Sequence, residues 1–240
     1  MSPIHPLDET TDALVHALTD VLRQLDNAAR SAGRPTPRLL AVSKTQPAAR
    51  VAALAAAGQR SFGENYVQEA ASKIAELAAL GLEWHLIGHL QSNKAKEAAT
   101  LFDWVQTVDR VKLVTALARH READRSPLNV LVQVNIDDEA SKHGCRPDEV
   151  AALAASIAAE PRLRLRGLMA IPTPWPDLER RREAFAQVRR LYEALQASHP
   201  EVDTLSMGMS EDHAVAIAEG ATMVRVGTAL FGRRPPIQQS

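Results

Sequence analysis

The sequence predicts a single (β/α)8 TIM barrel with one extra helix at the N-terminus. Apolar strand-like segments and helical patterns alternate along 240 residues and give eight βα units, the repeat of this fold. Several strand segments, such as 130–134, are largely apolar rather than alternating, which is typical of parallel strands buried on both faces. An open doubly wound sheet is the alternative, but no Gly-x-Gly-x-x-Gly motif opens a helix here.

Each element follows from its pattern of apolar residues and its start and stop signals. The first helix is predicted at 8–31, beginning at Asp8 and ending before Gly33 and Pro35. Its apolar face is expected to consist of Leu14, Leu18, Val21, Leu22 and Leu25. Strands are predicted at 38–43, 60–62, 83–87, 103–107, 129–135, 163–170, 203–206 and 222–226. Helices are predicted at 47–57, 64–79, 92–99, 110–122, 147–159, 177–197 and 211–219.

The chain is expected to have three parts and no second domain. Residues 1–37 form the helix and lead-in packed on the barrel, 38–232 form the barrel, and 233–240 form a C-terminal tail. The Pro-rich stretch 172–176 reads as a rigid loop after the sixth strand, because no composition change accompanies it.

Composition and charge exclude several classes of function. The formal net charge of −1 gives no electrostatic basis for binding nucleic acid. The single cysteine, Cys145, rules out an internal disulfide and indicates a reducing compartment. No secretion signal or membrane-length apolar stretch is present, so a cytoplasmic protein is expected. His85 and His89 lie four apart in a predicted strand, where that spacing does not bring them onto one metal.

Lys44 is the first candidate for chemistry, because it ends a predicted buried strand. Lysine is almost never fully buried without a partner, although a strand-end lysine is most often a solvated surface residue. A desolvated lysine amine forms imines with carbonyl compounds. Two Gly-containing turns, 206–210 and 225–228, could supply backbone N–H groups to a phosphate. Together these features favour a carbonyl compound that carries a phosphate.

The barrel prediction places further polar residues at the same end as Lys44, where active sites of this fold lie. Ser210 is expected to cap the helix after the seventh strand, and Thr228 to open a short terminal turn. Arg225 lies inside the last predicted strand, and alternation with Val224 and Val226 favours an inward side chain that needs an acceptor. Turn glycines and a simple cap remain the alternative for any one of these residues alone.

Five segments together resemble the pyridoxal phosphate homeostasis proteins over residues 38–232. They are AVSKT (41–45), FGENYVQE (62–69), WHLIGHLQSNK (84–94), LSMGMSED (205–212) and RVGTALFG (225–232). The resemblance implies a fold-type III barrel like the N-terminal domain of alanine racemase, with pyridoxal 5'-phosphate (PLP) bound to Lys44 as a Schiff base. It also implies that Arg225 faces the pyridine nitrogen. The residues implied to hold the phosphate are Ser206, Ser210, Gly227 and Thr228, and those implied to line the ring are Asn65, His85 and Met169.

The resemblance implies a role as well as a site. The family is regarded as having no established catalytic turnover and as buffering or delivering PLP, which makes PLP-dependent apo-enzymes candidate partners. Lys142 fits the family pattern. Two positions depart from it: Gln46 replaces a second lysine, and Arg233 and Arg234 occupy a tail that often carries lysine. These departures affect the expected rate or route of cofactor exchange rather than binding.

Three hypotheses follow, in this order. The first is a non-catalytic, monomeric PLP-binding protein, because an arginine at the ring nitrogen leaves the ring unprotonated and weakens it as an electron sink. The second is a small PLP enzyme, a racemase or lyase, in which Tyr66 replaces the tyrosine that racemases take from a separate domain; Tyr192 is predicted on an outer helix. The third is a lysine-dependent aldolase without PLP, for which Glu64 is the one strand-end carboxylate near Lys44.

Overall fold

The eight predicted strands form one closed parallel barrel. The structure, a computed structural model, describes residues 9–137, 139 and 142–232. Strands pair in chain order and β1 pairs with β8 to close the barrel, which confirms the predicted fold. The strands are β1 (Arg38–Val42), β2 (Ser61–Glu64), β3 (Glu83–Leu86), β4 (Trp104–Val108), β5 (Leu128–Val134), β6 (Leu163–Ala170), β7 (Thr204–Ser206) and β8 (Met223–Val226).

Helices surround the barrel and alternate with its strands. They are α1 (Glu9–Ser31), α2 (Ala48–Ala56), α3 (Val67–Glu76), α4 (Ala95–Leu101), α5 (Val111–His120), α6 (Val150–Ala158), α7 (Leu178–Ser198), α8 (His213–Ala218) and α9 (Thr228–Phe231). Short 3-10 turns occupy Ala78–Leu80, Ser92–Lys94 and Pro147–Glu149. Within the described ranges, none of the helices combines the length and apolar character that a membrane span requires.

Helix α1 completes the outer ring. The last helix of the barrel, α9, has only four residues, and α1 packs against α2, α8 and α9. Its buried stripe is Leu14, Leu18, Val21, Leu25 and Ala29. Leu22 was predicted to belong to this stripe, but it is 46% exposed. The buried residues recur at intervals of three and four, and Leu22, one position after Val21, is rotated about 100° away from that face.

Several predicted boundaries shift by a few residues, and two of the shifts concern the site. Strand β2 continues to Glu64, two residues beyond its predicted end, because its register with β3 extends to the pair Glu64 and Leu86. Helix α8 begins at His213 with Asp212 at its N-cap position, so the prediction that Ser210 caps it was wrong. The Asp212 carboxylate instead accepts the N–H of Met209 at 2.6 Å and shapes the loop before the helix. Asp8, the predicted start of the first helix, and the 233–240 tail lie outside the described residues.

The barrel interior and the layer between strands and helices differ in chemistry. The outer layer is one continuous apolar core that joins the strands to the helices. The interior holds a small apolar cluster of Trp104, Leu131 and Met169, with the imidazole of His85 stacked on Trp104 at 5.1 Å. The remaining interior side chains include several buried polar groups: Gln106, Gln133, Ser206 and Arg225. Buried polar groups require hydrogen-bond partners, and these partners organise the site.

Candidate functional site

A cavity of about 390 Å³ opens at the carboxyl end of the barrel, among the loops that follow the strands. This is the end at which barrels of this fold carry their active sites. Its polar and charged lining residues are Lys44, Asn65, Arg181, Ser210, Glu211, Asp212, Arg225 and Thr228. Its other lining residues are Val42, Ile87, Ile171, Pro174, Met209 and Gly227. The cavity therefore combines apolar walls with a few cationic and hydrogen-bonding groups, as small-molecule sites do.

Lys44 lies half-buried on the wall of this cavity, two residues after the end of β1. The next residue, Thr45, has a φ of 63° and is the one non-glycine residue with positive φ in the described ranges. A β-branched residue is costly in the left-handed region. Glu69 on α3 accepts the Thr45 N–H at 2.5 Å and helps to hold this conformation. The turn that presents Lys44 is thus fixed by a contact with α3.

A buried cluster of charged side chains stabilises the turn that contains Lys44 and Thr45. The Lys73 ammonium, on α3, donates to the Ser43 carbonyl at 2.7 Å, to Glu64 at 2.9 Å and to Glu69 at 2.7 Å. Ser43 also donates its hydroxyl to Glu64 at 2.6 Å. Burial raises the pKa of Glu64, although the hydrogen bonds from Ser43 and Lys73 oppose this. Glu64 is fully buried and does not line the cavity, so it is not placed to act as the acid–base group that an aldolase would need.

Arg225 points into the barrel and reaches the cavity from β8. One terminal nitrogen donates to the Ser206 hydroxyl at 2.8 Å and the other to the Ala170 carbonyl at 2.9 Å. Burial lowers the pKa of Arg225 to about 10, partly opposed by the charge of Asp212, so it stays protonated at neutral pH. Arg225 forms no salt bridge with a carboxylate of the described chain. A buried cation held by neutral groups favours a neutral or anionic acceptor in the cavity.

The Ser206 hydroxyl continues into a line of hydrogen bonds that crosses the barrel interior. Ser206 donates to the Gln106 carbonyl oxygen at 2.7 Å, and the Gln106 amide nitrogen lies 2.9 Å from His85 Nδ1. His85 Nε2 lies 2.6 Å from a Glu83 carboxylate oxygen at the opposite end of the barrel. We call Arg225, Ser206, Gln106, His85 and Glu83 the interior hydrogen-bond line.

The direction of each bond in this line is fixed. A carboxylate only accepts, so His85 Nε2 carries the proton and Nδ1 accepts from the Gln106 amide. Burial lowers the pKa of His85 despite the opposing charge of Glu83, which keeps the ring neutral. Because the Ser206 proton is directed at Gln106, the Ser206 oxygen offers its lone pairs to Arg225. The interior hydrogen-bond line therefore holds the guanidinium in place through an oriented acceptor.

The loops after β7 and β8 form a second side of the cavity. Gly208 has a φ of +90°, and a Cβ there would lie 2.6 Å from the Cβ of Ala216, so only glycine fits. Gly227 packs on Val42 and precedes α9, whose first N–H groups have no intrahelical acceptor. Arg50 joins this corner to α2 by donating to the Phe231 carbonyl at 2.9 Å and to Gln46 at 2.6 Å.

The structure brings six of the nine predicted site residues together and separates three. Those that line the cavity are Lys44, Asn65, Ser210, Arg225, Gly227 and Thr228. His85, Met169 and Ser206 are fully buried inside the barrel and do not line it. The implied roles of His85 and Met169 at the ring and of Ser206 at the phosphate stay predictions. All three lie within strands of the barrel, in β3, β6 and β7 respectively.

Sequence reasoning missed several residues of the site. Lys73 and Gln106 carry its supporting contacts, yet each lies in an ordinary helical or strand pattern. Arg181 of α7 lines the cavity and donates to the Trp175 carbonyl at 2.6 Å. It lies in the charged run 179–183, which gave no signal that distinguished it from a solvated helix face. Tyr66 is 62% exposed and lines a neighbouring hollow rather than the cavity.

Comparison with known proteins assigns this barrel to a class. A family model described as the N-terminal domain of alanine racemase matches residues 16–235. The pyridoxal phosphate homeostasis protein of Escherichia coli (strain K12) is 50% identical over 226 residues, which cover 92% of this chain and 97% of that protein. A Pseudomonas aeruginosa protein with the same name is 52% identical over 219 residues, covering 90% of this chain and 94% of that protein.

A solved structure agrees with these relatives. PipY of Synechococcus elongatus PCC7942, solved with PLP bound, superposes with a TM-score of 0.80 at 41% identity, covering 91% of this chain and all of that chain. The fold and the cavity thus define a barrel of the alanine racemase N-terminal class. Within that class, the chain belongs to the pyridoxal phosphate homeostasis protein family.

Proposed function

We propose that this protein binds PLP in the cavity at the carboxyl end of the barrel and takes part in PLP homeostasis by holding and releasing it. Lys44 would form a Schiff base with the cofactor aldehyde, with loss of water. The observation that carries this proposal is that one cavity contains both a lysine amine and a buried arginine without a carboxylate partner in the described chain.

The chemistry of the lining groups fits PLP. The cofactor supplies an aldehyde that reacts with an amine, a flat apolar ring with a nitrogen acceptor, and a phosphate dianion. Arg225 can donate to the ring nitrogen. Ser210, Gly227 and Thr228 offer a hydroxyl and backbone N–H groups to the phosphate, and Val42 and Ile87 supply apolar wall. Three buried residues, His85, Met169 and Ser206, would affect the cofactor indirectly. They would do so through packing inside the barrel and through the hydrogen bonds that hold Arg225.

The orientation of Arg225 supports a binding protein rather than an efficient enzyme. A guanidinium donates to the ring nitrogen and leaves it unprotonated, which makes the ring a poor sink for electrons. Glu211 and Asp212 line the cavity, but the Asp212 carboxylate is already occupied by the Met209 N–H. Reversible binding would allow the protein to release PLP to apo-enzymes that require it. Such apo-enzymes are the proposed partners.

Reduction of the bound cofactor tests the site. We expect purified protein with added PLP to show a visible imine band, and borohydride reduction to place a stable pyridoxyl label on the peptide that contains Lys44. Lys44→Ala should lose the band and the label while retaining weaker, non-covalent PLP binding. Lys94→Ala, which removes a lysine from a neighbouring hollow at the same end of the barrel, is the matched control and should behave as wild type. A band and label that persist in Lys44→Ala would refute the assignment.

Proton exchange at Cα of added alanine in deuterated water tests the non-catalytic part of the proposal. We expect no exchange above that caused by free PLP. Exchange that occurs with the wild-type protein but not with Lys44→Ala or with free PLP would instead establish a small PLP enzyme. Loss of that exchange in Tyr66→Phe would identify Tyr66 as the base.

A further inference from the structure

Three side chains from three successive loops meet beside the cavity. His89 follows β3, Asp109 follows β4 and His143 lies in the loop after β5. The two imidazole rings stack with centroids 3.7 Å apart, and the ligating atoms of all three residues lie within 4.8 Å of one another. These residues are distinct from those that line the cavity, and none of them has a part in the proposed cofactor binding.

The donor set matches a divalent transition metal. Two imidazole nitrogens and one carboxylate suit Zn²⁺ and its neighbours in the first row, whereas Mg²⁺ and Ca²⁺ prefer oxygen ligands alone. Bond lengths of about 2.0–2.2 Å require ligand atoms somewhat closer together than they lie here. His89 and His143 are exposed, so rotation of their side chains can bring the nitrogens together without moving the barrel.

The third ligand is already oriented. The Asp109 side chain is only 10% exposed, and one of its oxygens accepts a hydrogen bond from Arg110. Arg110 in turn donates to the Leu90 carbonyl at 3.0 Å, in the loop that carries His89. Arg110 holds the Asp109 carboxylate in place, which favours metal binding. The positive charge of Arg110 also repels a metal ion, and the affinity for the metal depends on the balance of these two effects.

The charges around His89 favour its neutral form. Partial burial and the adjacent His143 lower the pKa of His89, and Arg110 acts in the same direction, while Asp109 opposes them. A neutral imidazole has a lone pair to offer a metal. Protonation of both rings would place two positive charges next to each other in the stacked pair.

We propose that His89, Asp109 and His143 form a binding site for a divalent transition-metal ion of the Zn²⁺ type, with at least one coordination position open to solvent. The bound ion would tie the loops after β3, β4 and β5 together. The loop after β5 also carries Lys142, which contacts Asp137 at 2.7 Å and borders a hollow that shares Ile171 with the cavity. The metal would therefore restrict one side of the cavity mouth.

Calorimetric titration of the full chain with Zn²⁺ tests this site. We expect one ion per chain at micromolar affinity, affinity reduced at least tenfold in Asp109→Asn, and no specific binding in His89→Ala or His143→Ala. His16→Ala, which removes an exposed histidine of α1, should bind as wild type. Co²⁺ should give the intense visible bands of a low-coordinate site in wild type and lose them in His143→Ala.

Two outcomes would overturn the proposal. One is Zn²⁺ binding of wild-type strength in both His89→Ala and His143→Ala. The other is loss of Zn²⁺ binding in Lys44→Ala, since that would mean that the ion is held through a cofactor at Lys44. Retained Zn²⁺ binding in Lys44→Ala supports a site that stands whether or not the protein binds PLP.

Discussion

At the scale of single residues, the site depends on groups whose hydrogen bonds have one possible direction. Glu83 can only accept, and through His85 and Gln106 it fixes the Ser206 oxygen as an acceptor for Arg225. Arg225 can only donate hydrogen bonds, because a guanidinium has no acceptor atom. These side chains therefore help to fix the position of Arg225 at the cavity.

Reversing the charge at Arg225 tests this polarity. In Arg225→Glu with PLP bound, we expect a protonated ring nitrogen and a measurable rise in slow transamination of added amino acids, because a carboxylate stabilises the pyridinium. The absorption spectrum as a function of pH and the formation of pyridoxamine phosphate are the readouts. Arg225→Gln, which matches glutamate in size but has no charge, should show weaker binding without the rise. An unchanged spectrum and reactivity in both variants would place Arg225 outside the site.

The pH dependence of stability reports on Glu83. Burial alone would raise the pKa of Glu83, but the hydrogen bond from His85 and the charge and hydrogen bond of Arg38 outweigh it and hold the pKa well below its ordinary value of 4.5. A depressed carboxyl pKa contributes stability above the ordinary pKa, and this is lost as the pH falls through the folded-state value. We expect the difference in urea unfolding free energy between wild type and Glu83→Gln to be constant above pH 6 and to shrink below pH 5. A difference that grows toward low pH would contradict this sign.

At the scale of elements, α3 is bound to the barrel by charge and α1 by apolar packing. Lys73 is 6% exposed and links α3 to the carbonyl and side chains at the ends of β1 and β2. Helix α1 packs on its neighbours through the apolar side chains of its buried stripe. The two attachments should respond differently to mutation.

Removing Lys73 should be the most damaging change to α3. Lys73→Ala leaves Glu64 buried without its cation, which typically costs about 3–5 kcal/mol of unfolding free energy. Chemical denaturation measures the loss. The double variant with Glu64→Gln should recover part of it, because the uncompensated charge is then gone, and Lys112→Ala on the exposed face of α5 should have little effect. An equal loss in the single and double variants would assign the effect to packing instead.

A pair of leucines on α1 tests how that helix is held. Leu18 is 3% exposed and Leu22 is 46% exposed on the same helix. Leu18→Ala should lower the unfolding free energy by about 2–4 kcal/mol through lost burial and a cavity. Leu22→Ala should change it by less than about 0.5 kcal/mol. Equal effects in urea denaturation would show that α1 packs on a different face.

At the scale of the whole molecule, the order and direction of the strands could be predicted, while the contents of the barrel could not. Alternation of apolar strands and helices gave all eight strands, because burial on two faces leaves a strong local pattern. The partners of Gln106 lie in β3 and β7, and no local pattern identifies such contacts. For the same reason, the hydrogen bonds of Ser206 with Gln106 and Arg225 inside the barrel could not be predicted from its own segment.

The site residues also divide into those that could be predicted from the sequence and those that could not. Lys44, Asn65 and Thr228 were found because they follow strands, and loops after strands converge in this fold. Ser210 was found at the cavity but with the wrong structural role, since the cap position depends on which side chain the preceding loop uses. Lys73 was missed because one lysine in a charged, amphipathic helix is ordinary until its burial is known.

The pairing of the first strand with the last has a consequence for the order of events during protein synthesis. Lys44 leaves the ribosome before the β8 residues that pair with β1, and before Arg225 and Thr228, which lie about 180 residues further along the chain. Until then the barrel is open and one side of the cavity does not exist. A nascent chain therefore presents its lysine well before it can select a ligand, and selective capture begins only when the final strand closes the barrel.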